Sequence, residues 1–324
     1  INNFDSKINP SKTVLVNNET INITNPVSIY PSPDGKRIIL TDGWGIRYIV
    51  NVDTGQIQLL FKSILDPKGR SFNWHPDSRH FLMEAQEGTQ ETGLWLVDTE
   101  TGKYSVLLHQ FPTPRITAGA VSPSGQQIVY ALENPTNRNY EVWVADINGN
   151  NAKLIWESKA DVNLFAWSPD GRYLAMNGGR VMDMNNYQVK TMTQNMAEGY
   201  GYAFRPVWSP DSHHIAFIAF DAPNPLTDKS VPPEEYGTDI FKGANIHILN
   251  IKTGEEKPLI QEKGTGHVYP SWSPDGTQIA FASTINGKPD IWISNIDGTK
   301  LRQLTDTEWP VYAPYWVTFP HGKT

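Results

Sequence analysis

The sequence predicts an all-β protein, a β-propeller built from four-stranded antiparallel blades. One phrase recurs six times: an aromatic or aliphatic residue, Ser or His, Pro, Asp or Ser, Gly or Ser, two mostly polar residues and an apolar run. Its prolines stand at positions 33, 76, 123, 169, 210 and 274, which gives a period of about 44 residues. Each period also holds several short apolar stretches separated by turn residues, a pattern typical of radial β-repeats.

The last complete repeat shows how one blade is built. Residues 268–272 form the predicted first strand, and the Ser-Pro-Asp-Gly sequence at 273–276 turns the chain. Pro presets φ, the Asp side chain can cap the turn, and Gly tolerates a positive φ. The other three predicted strands lie at 277–283, 290–294 and 301–305. Equivalent third strands are predicted at 94–98, 142–146 and 246–250, and we expect almost no helix.

The Trp and Asp residues that recur in the motif are expected to be structural, so neither set of residues is predicted to be catalytic. The motif tryptophans are predicted to pack between neighbouring blades, and they are Trp74, Trp167, Trp208, Trp272 and Trp316. The motif aspartates are predicted to form the turns, and they are Asp34, Asp77, Asp170, Asp211 and Asp275.

The two ends of the sequence predict a seventh blade. Tyr312–Trp316 has the pattern of another first strand, while 13–16 and 20–24 have that of a third and a fourth strand. Joining the ends leaves close to one repeat length. We therefore expect a single domain over residues 1–324 with seven blades, the last shared between the N- and C-termini. Six complete blades are the alternative, and residues 221–243 are expected to be an insertion in the fifth complete repeat.

Composition excludes several classes of partner. The net charge is −7 and Lys and Arg are not clustered, so we expect no nucleic-acid partner. The chain contains no Cys, which excludes disulfides, thiolate metal sites and a Cys nucleophile, and suits an oxidising compartment. No apolar run is long enough to cross a membrane, so no transmembrane segment is expected.

At these motifs the chain resembles the TolB-like β-propeller repeat, which is WD40-like in its Trp-Ser-Pro-Asp-Gly phrase. The resemblance covers nearly the whole chain; it is strong at Trp167–Gly171 and Trp272–Gly276, and weaker where Pro31 and Val121 replace the Trp. It implies the propeller fold and a periplasmic or extracellular bacterial protein. The same repeat occurs in TolB, the tricorn protease and relatives of prolyl oligopeptidase, so it implies no single function.

Motifs of the enzymatic relatives are missing here. The peptidase relatives carry a hydrolase domain with a Gly-x-Ser-x-Gly pentapeptide, which this sequence lacks. Oligogalacturonate lyases are propellers with a related repeat, and they bind manganese mainly through His. Here His267 alone is predicted at the face opposite the motif turns, while surface positions near those turns are assigned to His75, His80, His213 and His214. We therefore expect no catalytic residue, no metal and no cofactor.

The long connections between strands predict the binding face. If the motif turns lie at one face, the long segments lie almost wholly at the other, where binding loops on a rigid scaffold are usual. Exposed Trp and Tyr flanked by Gly suit stacking on sugars or anchoring a peptide. The predicted ligand-binding residues are Trp309, Tyr312, Tyr200, Tyr202, Arg205, His267, Trp44 and Tyr236, with residues 221–243 as a cover.

The sequence therefore favours a non-catalytic exported propeller. Its partner is expected to be a protein segment, a glycan or another extracellular ligand bound at that face. The alternative is a carbohydrate- or peptide-active enzyme, such as a polysaccharide lyase or hydrolase, with its site in the propeller mouth. Its catalytic groups would be carboxylates together with an arginine. The candidates are Glu198, Glu234, Glu235 and Glu308 with Arg205 or Arg115.

Overall fold

A computed structural model describes the chain as strands and turns. The described residues are 13–16, 19–22, 26–42, 46–62, 71–87, 91–110, 115–194, 206–220, 241, 243–260, 265–306 and 314–316. No helix occurs among them, as the sequence predicts. The strands form six four-stranded sheets, each an antiparallel meander of consecutive strands, and one two-stranded sheet. The architecture is that of an all-β propeller with four-stranded blades.

The chain divides into two compact units, the first formed by Ile1–Phe165 with Val317–Thr324. This unit holds the two-stranded sheet of β1 (Thr13–Val16) and β2 (Glu19–Asn22). Its blade 1 contains β3 (Pro26–Pro31), β4 (Arg37–Asp42), β5 (Ile46–Asn51) and β6 (Ile57–Lys62). Blade 2 contains β7 (Ser71–Trp74), β8 (His80–Glu87), β9 (Glu91–Asp98) and β10 (Tyr104–Gln110). Blade 3 contains β11 (Arg115–Val121), β12 (Gln127–Glu133), β13 (Tyr140–Asp146) and β14 (Lys153–Ser158).

The second unit, Ala166–Trp316, holds the other three blades. Blade 4 contains β15 (Phe165–Trp167), β16 (Tyr173–Met176), β17 (Arg180–Asp183) and β18 (Gln188–Thr191). Blade 5 contains β19 (Val207–Trp208), β20 (His214–Phe220), β21 (Ala244–Asn250) and β22 (Glu256–Pro258). Blade 6 contains β23 (His267–Trp272), β24 (Gln278–Ser283), β25 (Asp290–Asn295) and β26 (Arg302–Gln303). The proposed insertion at 221–243 falls between β20 and β21, and its residues 221–240 and 242 lie outside the described part.

The prediction of seven blades is wrong, and the alternative of six is what the described residues form. The two strands β1 and β2 pair only with each other, and they join no four-stranded sheet. Residues 314–316, the described part of the predicted extra first strand, form no ladder. The hairpin of β1 and β2 and the segment before Trp316 match the repeat in their pattern of residues. A blade also needs continuous hydrogen bonding across its strands, which a pattern alone does not supply.

The motif turn confirms the roles predicted for Asp and Gly. In blade 6 the Ser273 hydroxyl donates to Asp275 Oδ1 at 2.6 Å, and the same oxygen accepts the Thr277 N–H at 3.0 Å. Gly276 has φ 71° and donates its N–H to the Ser273 carbonyl at 2.9 Å. The carboxylate thus caps the turn while Gly supplies the left-handed backbone.

Two repeats place Ser where the others have Gly, and the structure shows what this Ser bonds. Ser78 and Ser212 adopt φ 59° and 60°, a conformation that is strained for a residue with a Cβ. The Ser78 hydroxyl accepts the Asp34 N–H at 3.0 Å, and the Ser212 hydroxyl accepts the Asp170 N–H at 3.0 Å. In each case the bond joins the turn to that of the preceding blade, which offsets the strain.

Four of the five motif Trp residues hydrogen-bond to the preceding repeat, whereas the buried indole nitrogen of Trp167 has no hydrogen-bond partner among the described residues and Trp316 is exposed. The indole N–H of Trp74 donates to the Tyr30 carbonyl at 2.9 Å, and that of Trp208 to the Ala166 carbonyl at 2.9 Å. Trp272 reaches the Val207 carbonyl at 2.9 Å and Trp316 reaches the Ser271 carbonyl at 3.0 Å. Every acceptor is the residue just before the motif Trp position of the preceding repeat. The apolar core therefore lies between neighbouring sheets. One such cluster combines Ile246 and Ile248 with Trp272, Ile279 and Phe281.

Candidate functional site

The strands of each sheet end along two opposite sides, and these two sides carry different connections. Because the strands alternate in direction, the motif turns and the third-to-fourth turns lie at one edge, called here the turn edge. The second-to-third and fourth-to-first connections lie at the other, called here the loop edge. In blade 6 the turn edge contains residues 273–277 and 296–299, and the loop edge contains 284–289. Of the predicted ligand-binding residues, the described one, His267, lies at the loop edge, at the start of β23.

A row of polar residues crosses blade 6 at its loop edge. His267 pairs with Ser283 across β23 and β24, and Ser283 pairs with Asp290 across β24 and β25. All three residues have no exposed surface. His267 was predicted from the sequence, whereas Ser283 and Asp290 were not. Their signal in the sequence was weak, since a polar residue at a strand end is ordinary.

The His267 ring is held on both sides by hydroxyl groups. Nδ1 lies 2.9 Å from Ser283 Oγ, and Nε2 lies 3.0 Å from Thr265 Oγ1. The ring meets Phe281 edge-on, with centroids 5.6 Å apart. Desolvation by burial lowers the pKa of His267 to about 4, so the ring is neutral at neutral pH.

This setting gives His267 a packing role in the conformation described. The ring has no exposed surface there, and a pKa of about 4 makes it a poor general base at neutral pH, so ligand contact by His267 stays a prediction. The adjacent Ser283 is equally buried, and its hydroxyl also accepts the Ile285 N–H at 3.2 Å. The His–Ser pair is therefore not arranged as an accessible nucleophile and base.

Asp290 completes the row but is bonded elsewhere. Its carboxylate accepts the Thr305 hydroxyl at 3.0 Å and the Gln303 amide at 3.2 Å, and Lys288 Nζ lies 3.6 Å away. Lys288 also donates to Asp306 at 3.1 Å. A buried carboxylate held by hydroxyl, amide and ammonium groups ties β25 to β26.

The other predicted ligand-binding residues fall outside the described part of the chain, so their ligand contact stays a prediction. These are Trp309, Tyr312, Tyr200, Tyr202, Arg205, Trp44 and Tyr236. The same holds for the carboxylates of the enzyme alternative, Glu198, Glu234, Glu235 and Glu308. Arg115, the described arginine of that alternative, is exposed at the start of β11, with Nη1 4.0 Å from Glu133 Oε2.

Arg47 lies at the loop edge of blade 1, three residues after Trp44. It is fully buried, and this desolvation lowers the pKa of its guanidinium, while the charges of Tyr30 and Glu84 act in the opposite direction. The sequence predicted ligand contact for Trp44, in the segment that leads to Arg47. A buried Arg beside a strand start instead indicates that this end of the segment is part of the core.

The turn edge of blade 2 brings together three potential metal ligands. Donor atoms of His75, Asp77 and His80 all lie within 4.8 Å of one another. Both histidines were predicted at surface positions near the motif turns, and no metal was expected. The signal in the sequence is the substitution itself, because His75 stands where most repeats have the motif Ser.

Comparison with known proteins supports the TolB-like resemblance. No family model matches the chain. A TolB homolog from Protochlamydia amoebophila is 25% identical over 237 residues, which cover 58% of this chain and 50% of that protein. The chain spans only 11% of another relative, a tricorn protease homolog from Saccharolobus solfataricus, at 29% identity over 121 residues. The chain thus spans well under two thirds of these relatives.

Solved structures agree on the fold. TolB from Acinetobacter baumannii matches with a TM-score of 0.51 and 19% identity, covering 89% of this chain and 65% of that one. An oligogalacturonate lyase in complex with manganese matches with a TM-score of 0.53 and 15% identity, covering 85% and 79%. At these identities the likeness shows the propeller fold. Among the described residues, no helix is long and apolar enough to cross a membrane.

Proposed function

We propose that the chain is a non-catalytic propeller, exported to the periplasm or outside of a bacterial cell, that binds a protein segment or glycan at its loop edge. The observation that carries this proposal is the difference between the two edges. The turn edge consists of short turns whose polar groups bond one another, as in Ser273, Asp275 and Thr277. The loop edge carries the long connections with Trp, Tyr and Gly.

The described polar residues of the loop edge also favour binding over catalysis. His267 and Ser283 are buried in the sheet, and His267 is neutral with a pKa of about 4. Asp290 is committed to Thr305, Gln303 and Lys288. These groups bond the strand ends to one another, and loops that present aromatic anchors need such a fixed scaffold.

The test is a binding screen followed by single substitutions. The protein is presented to a glycan array and to a peptide-display library, and each hit is measured by calorimetry. Trp309→Ala is expected to weaken binding of the hit by about 1–3 kcal/mol, because a Trp anchor supplies much of the energy of an interface. The melting temperature should stay unchanged.

His213→Ala is the matched control, since this residue, with a partly exposed side chain, follows the motif turn of blade 5 on the turn edge. It should leave binding of the same hit unchanged. Binding that survives Trp309→Ala and is lost in His213→Ala would place the site on the opposite edge. If neither library yields a hit, the choice of protein segments and glycans as the ligand classes is contradicted.

The similarity to an oligogalacturonate lyase in complex with manganese favours one second candidate, a carbohydrate-active enzyme. Its test is incubation of the protein with polygalacturonate and with oligogalacturonates, with Mn²⁺ added, followed by absorbance of unsaturated products and by sugar analysis. Product formation that is lost when Glu198, Glu234, Glu235 and Glu308 are replaced singly by Gln would favour the enzyme. Absence of product leaves the binding proposal in first place.

A further inference from the structure

The turn edge of blade 2 departs from the repeat in a way that other blades do not. In blades 1, 4, 5 and 6 the motif Ser donates to the motif Asp at 2.5–2.6 Å. In blade 2 the position of this Ser is occupied by His75, and a second histidine, His80, stands three residues after the motif Asp77. Both imidazoles contact the Asp77 carboxylate. His75 Nδ1 lies 3.0 Å from Oδ1, and His80 Nδ1 lies 2.6 Å from Oδ2.

The tautomer of His75 follows from its other ring nitrogen. Nε2 lies 3.0 Å from the carbonyl oxygen of Gly125, and a carbonyl only accepts, so Nε2 carries a proton. The ring is seated tightly there, because a Cβ at Gly125 would stand 2.6 Å from Nε2. Nδ1 of the neutral ring then carries no proton, and it accepts the Asp77 N–H at 3.2 Å.

A bare imidazole nitrogen 3.0 Å from a carboxylate oxygen is a contact between two acceptors. It becomes favourable when a positive charge lies between or beside them, either a second proton on the ring or a metal ion. The arrangement of His75 is similar to that of metal-binding histidines, because Nδ1 is an unprotonated acceptor with only one long hydrogen bond, from the Asp77 N–H, and Nε2 donates to a backbone carbonyl that orients the ring.

The remaining groups are consistent with a cation at this place. Asp77 Oδ1 accepts the backbone N–H groups of Arg79 and His80 at 2.8 and 3.0 Å, which fixes the carboxylate. The nearby Arg79 guanidinium is directed to Asp98 at 2.6 Å and to Glu100 at 3.4 Å, so its charge is neutralised by other carboxylates. The side chain of His80 is one-third exposed and can turn toward a shared ion.

We propose that His75 Nδ1, Asp77 Oδ2 and His80 Nδ1 bind a divalent transition-metal ion of the zinc type. Two imidazoles and one carboxylate are ligands that Zn²⁺ accepts and that Ca²⁺ and Mg²⁺ do not favour. The donor atoms lie within 4.8 Å of one another, and small rotations of the side chains would bring them to the separations of about 3.3 Å that a tetrahedral site requires. Water completes the coordination on the exposed side. The bound ion then fixes the turn of blade 2, whose His75 already contacts the turn of blade 3 at Gly125.

Blade 5 supplies an internal control for this site. It has Asp211 and His214 at the positions of Asp77 and His80, but Ser209 at the position of His75. His214 Nδ1 lies 3.9 Å from Asp211 Oδ1, and its Nε2 lies 3.2 Å from the Asn250 amide nitrogen. The neighbouring His213 Nδ1 lies 3.5 Å from Asp211 Oδ2. The blade 5 turn therefore also has imidazoles near its Asp, but it has no imidazole at the Ser position that is oriented by a carbonyl of the next blade.

The experiment measures Zn²⁺ binding to the full chain, freed of any histidine tag and stripped with a chelator, by calorimetry and by competition with a chromogenic zinc indicator. We expect one Zn²⁺ per chain and a melting temperature that rises with Zn²⁺ concentration. His75→Ser and His80→Gln should each weaken binding by about 100-fold or more, a larger loss than that of an outer-shell partner. His214→Gln should leave both the affinity and the stoichiometry unchanged.

The His75→Ser variant restores the residue that blades 1, 4, 5 and 6 use, so its melting temperature in chelator should match that of the parent chain. If its melting temperature in chelator differs from that of the parent chain, the Zn²⁺ affinity of His80→Gln is the measurement that tests the site. Failure of the parent chain to bind Zn²⁺ overturns the proposal. Binding that persists in both His75→Ser and His80→Gln also overturns it, since the ion then sits elsewhere.

Discussion

At position 267 the fold encloses a neutral imidazole between two hydroxyl groups, and this makes stability depend on pH. Burial lowers its pKa to about 4, while the unfolded chain has a value near 6.5. As the pH falls from about 6.5 to 4, the unfolded state binds a proton that the folded state does not, so stability is lost across this window. The loss is on the order of 3 kcal/mol for the single group.

The measurement is the melting temperature of the parent chain and of His267→Gln between about pH 7 and 4. Gln keeps hydrogen-bonding groups near Ser283 and Thr265 but does not titrate, so the variant should lose less stability across the window than the parent. Parallel curves for the two proteins would show that His267 does not titrate as its burial implies.

The serine in the left-handed position of the blade 5 turn makes a second prediction at the residue scale. Ser212 has φ 60°, and its hydroxyl accepts the Asp170 N–H. Ser212→Ala keeps the strain and loses the bond, whereas Ser212→Gly loses the bond but relieves the strain. We expect Ser212→Ala to be less stable than Ser212→Gly by about 1 kcal/mol in denaturant unfolding. Equal stability of the two variants would mean that strain at this turn is negligible.

At the scale of elements, the strands of neighbouring blades are joined by indole hydrogen bonds. Trp272 on β23 donates to the Val207 carbonyl on β19 at 2.9 Å. Trp292 on β25 is also buried, but its indole nitrogen has no hydrogen-bond partner among the described residues. The two side chains therefore form a matched pair, similar in size and burial and different in one bond.

We expect Trp272→Phe to destabilise the protein more than Trp292→Phe does. Both changes shrink the ring, but the first also leaves the Val207 carbonyl without its donor, which costs about 1–3 kcal/mol more. The free energy of unfolding in urea, measured for the parent and both variants, checks this difference. Equal losses would contradict a net contribution from the bond that links blades 5 and 6.

At the scale of the whole molecule, one acidic group recurs in the motif turns. The pKa of Asp34, Asp170, Asp211 and Asp275 is lowered from the usual value. For Asp170, desolvation alone would raise the pKa, but the Ser168 hydroxyl, the Arg172 N–H and Ser212 together lower it. For Asp275 the Ser273 hydroxyl is the largest cause. Because the turn recurs, the contributions of these carboxylates to the pH dependence of stability add up over the chain.

The consequence is a loss of stability in acid that is shared among the blades. A carboxyl with a lowered pKa stabilises the fold above its unfolded value of about 4, and the contribution disappears as the pH falls through the lower folded value. The parent chain should therefore lose stability steeply below about pH 4, separately from the His267 window. Asp170→Asn should be less stable at neutral pH and show a shallower acid slope in melting experiments. An unchanged slope would contradict the role of the hydrogen bonds to this carboxylate.

The sequence alone determined the blade and its turns. Pro, Asp and Gly dictate a tight turn by local geometry, and alternation of apolar residues dictates strands, so the all-β repeat and the roles of Asp275, Gly276 and Trp272 were predictable. The same local rules predicted a seventh blade from the terminal segments, which was wrong because a blade requires a continuous ladder and not only strand-like segments. The resemblance to TolB-like propellers depended on the same motifs and was confirmed.

Only the tertiary structure decided what surrounds each polar side chain. His267 appeared from its position to be a ligand contact, and its burial between Ser283, Thr265 and Phe281 depends on residues brought together from separate strands. Arg47 is buried for the same reason. His75 and His80 became a candidate metal site because the turn folds both rings onto Asp77 and the next blade supplies the Gly125 carbonyl. Burial and pKa depend on neighbours distant in sequence, and a linear pattern of residue types does not contain those distances.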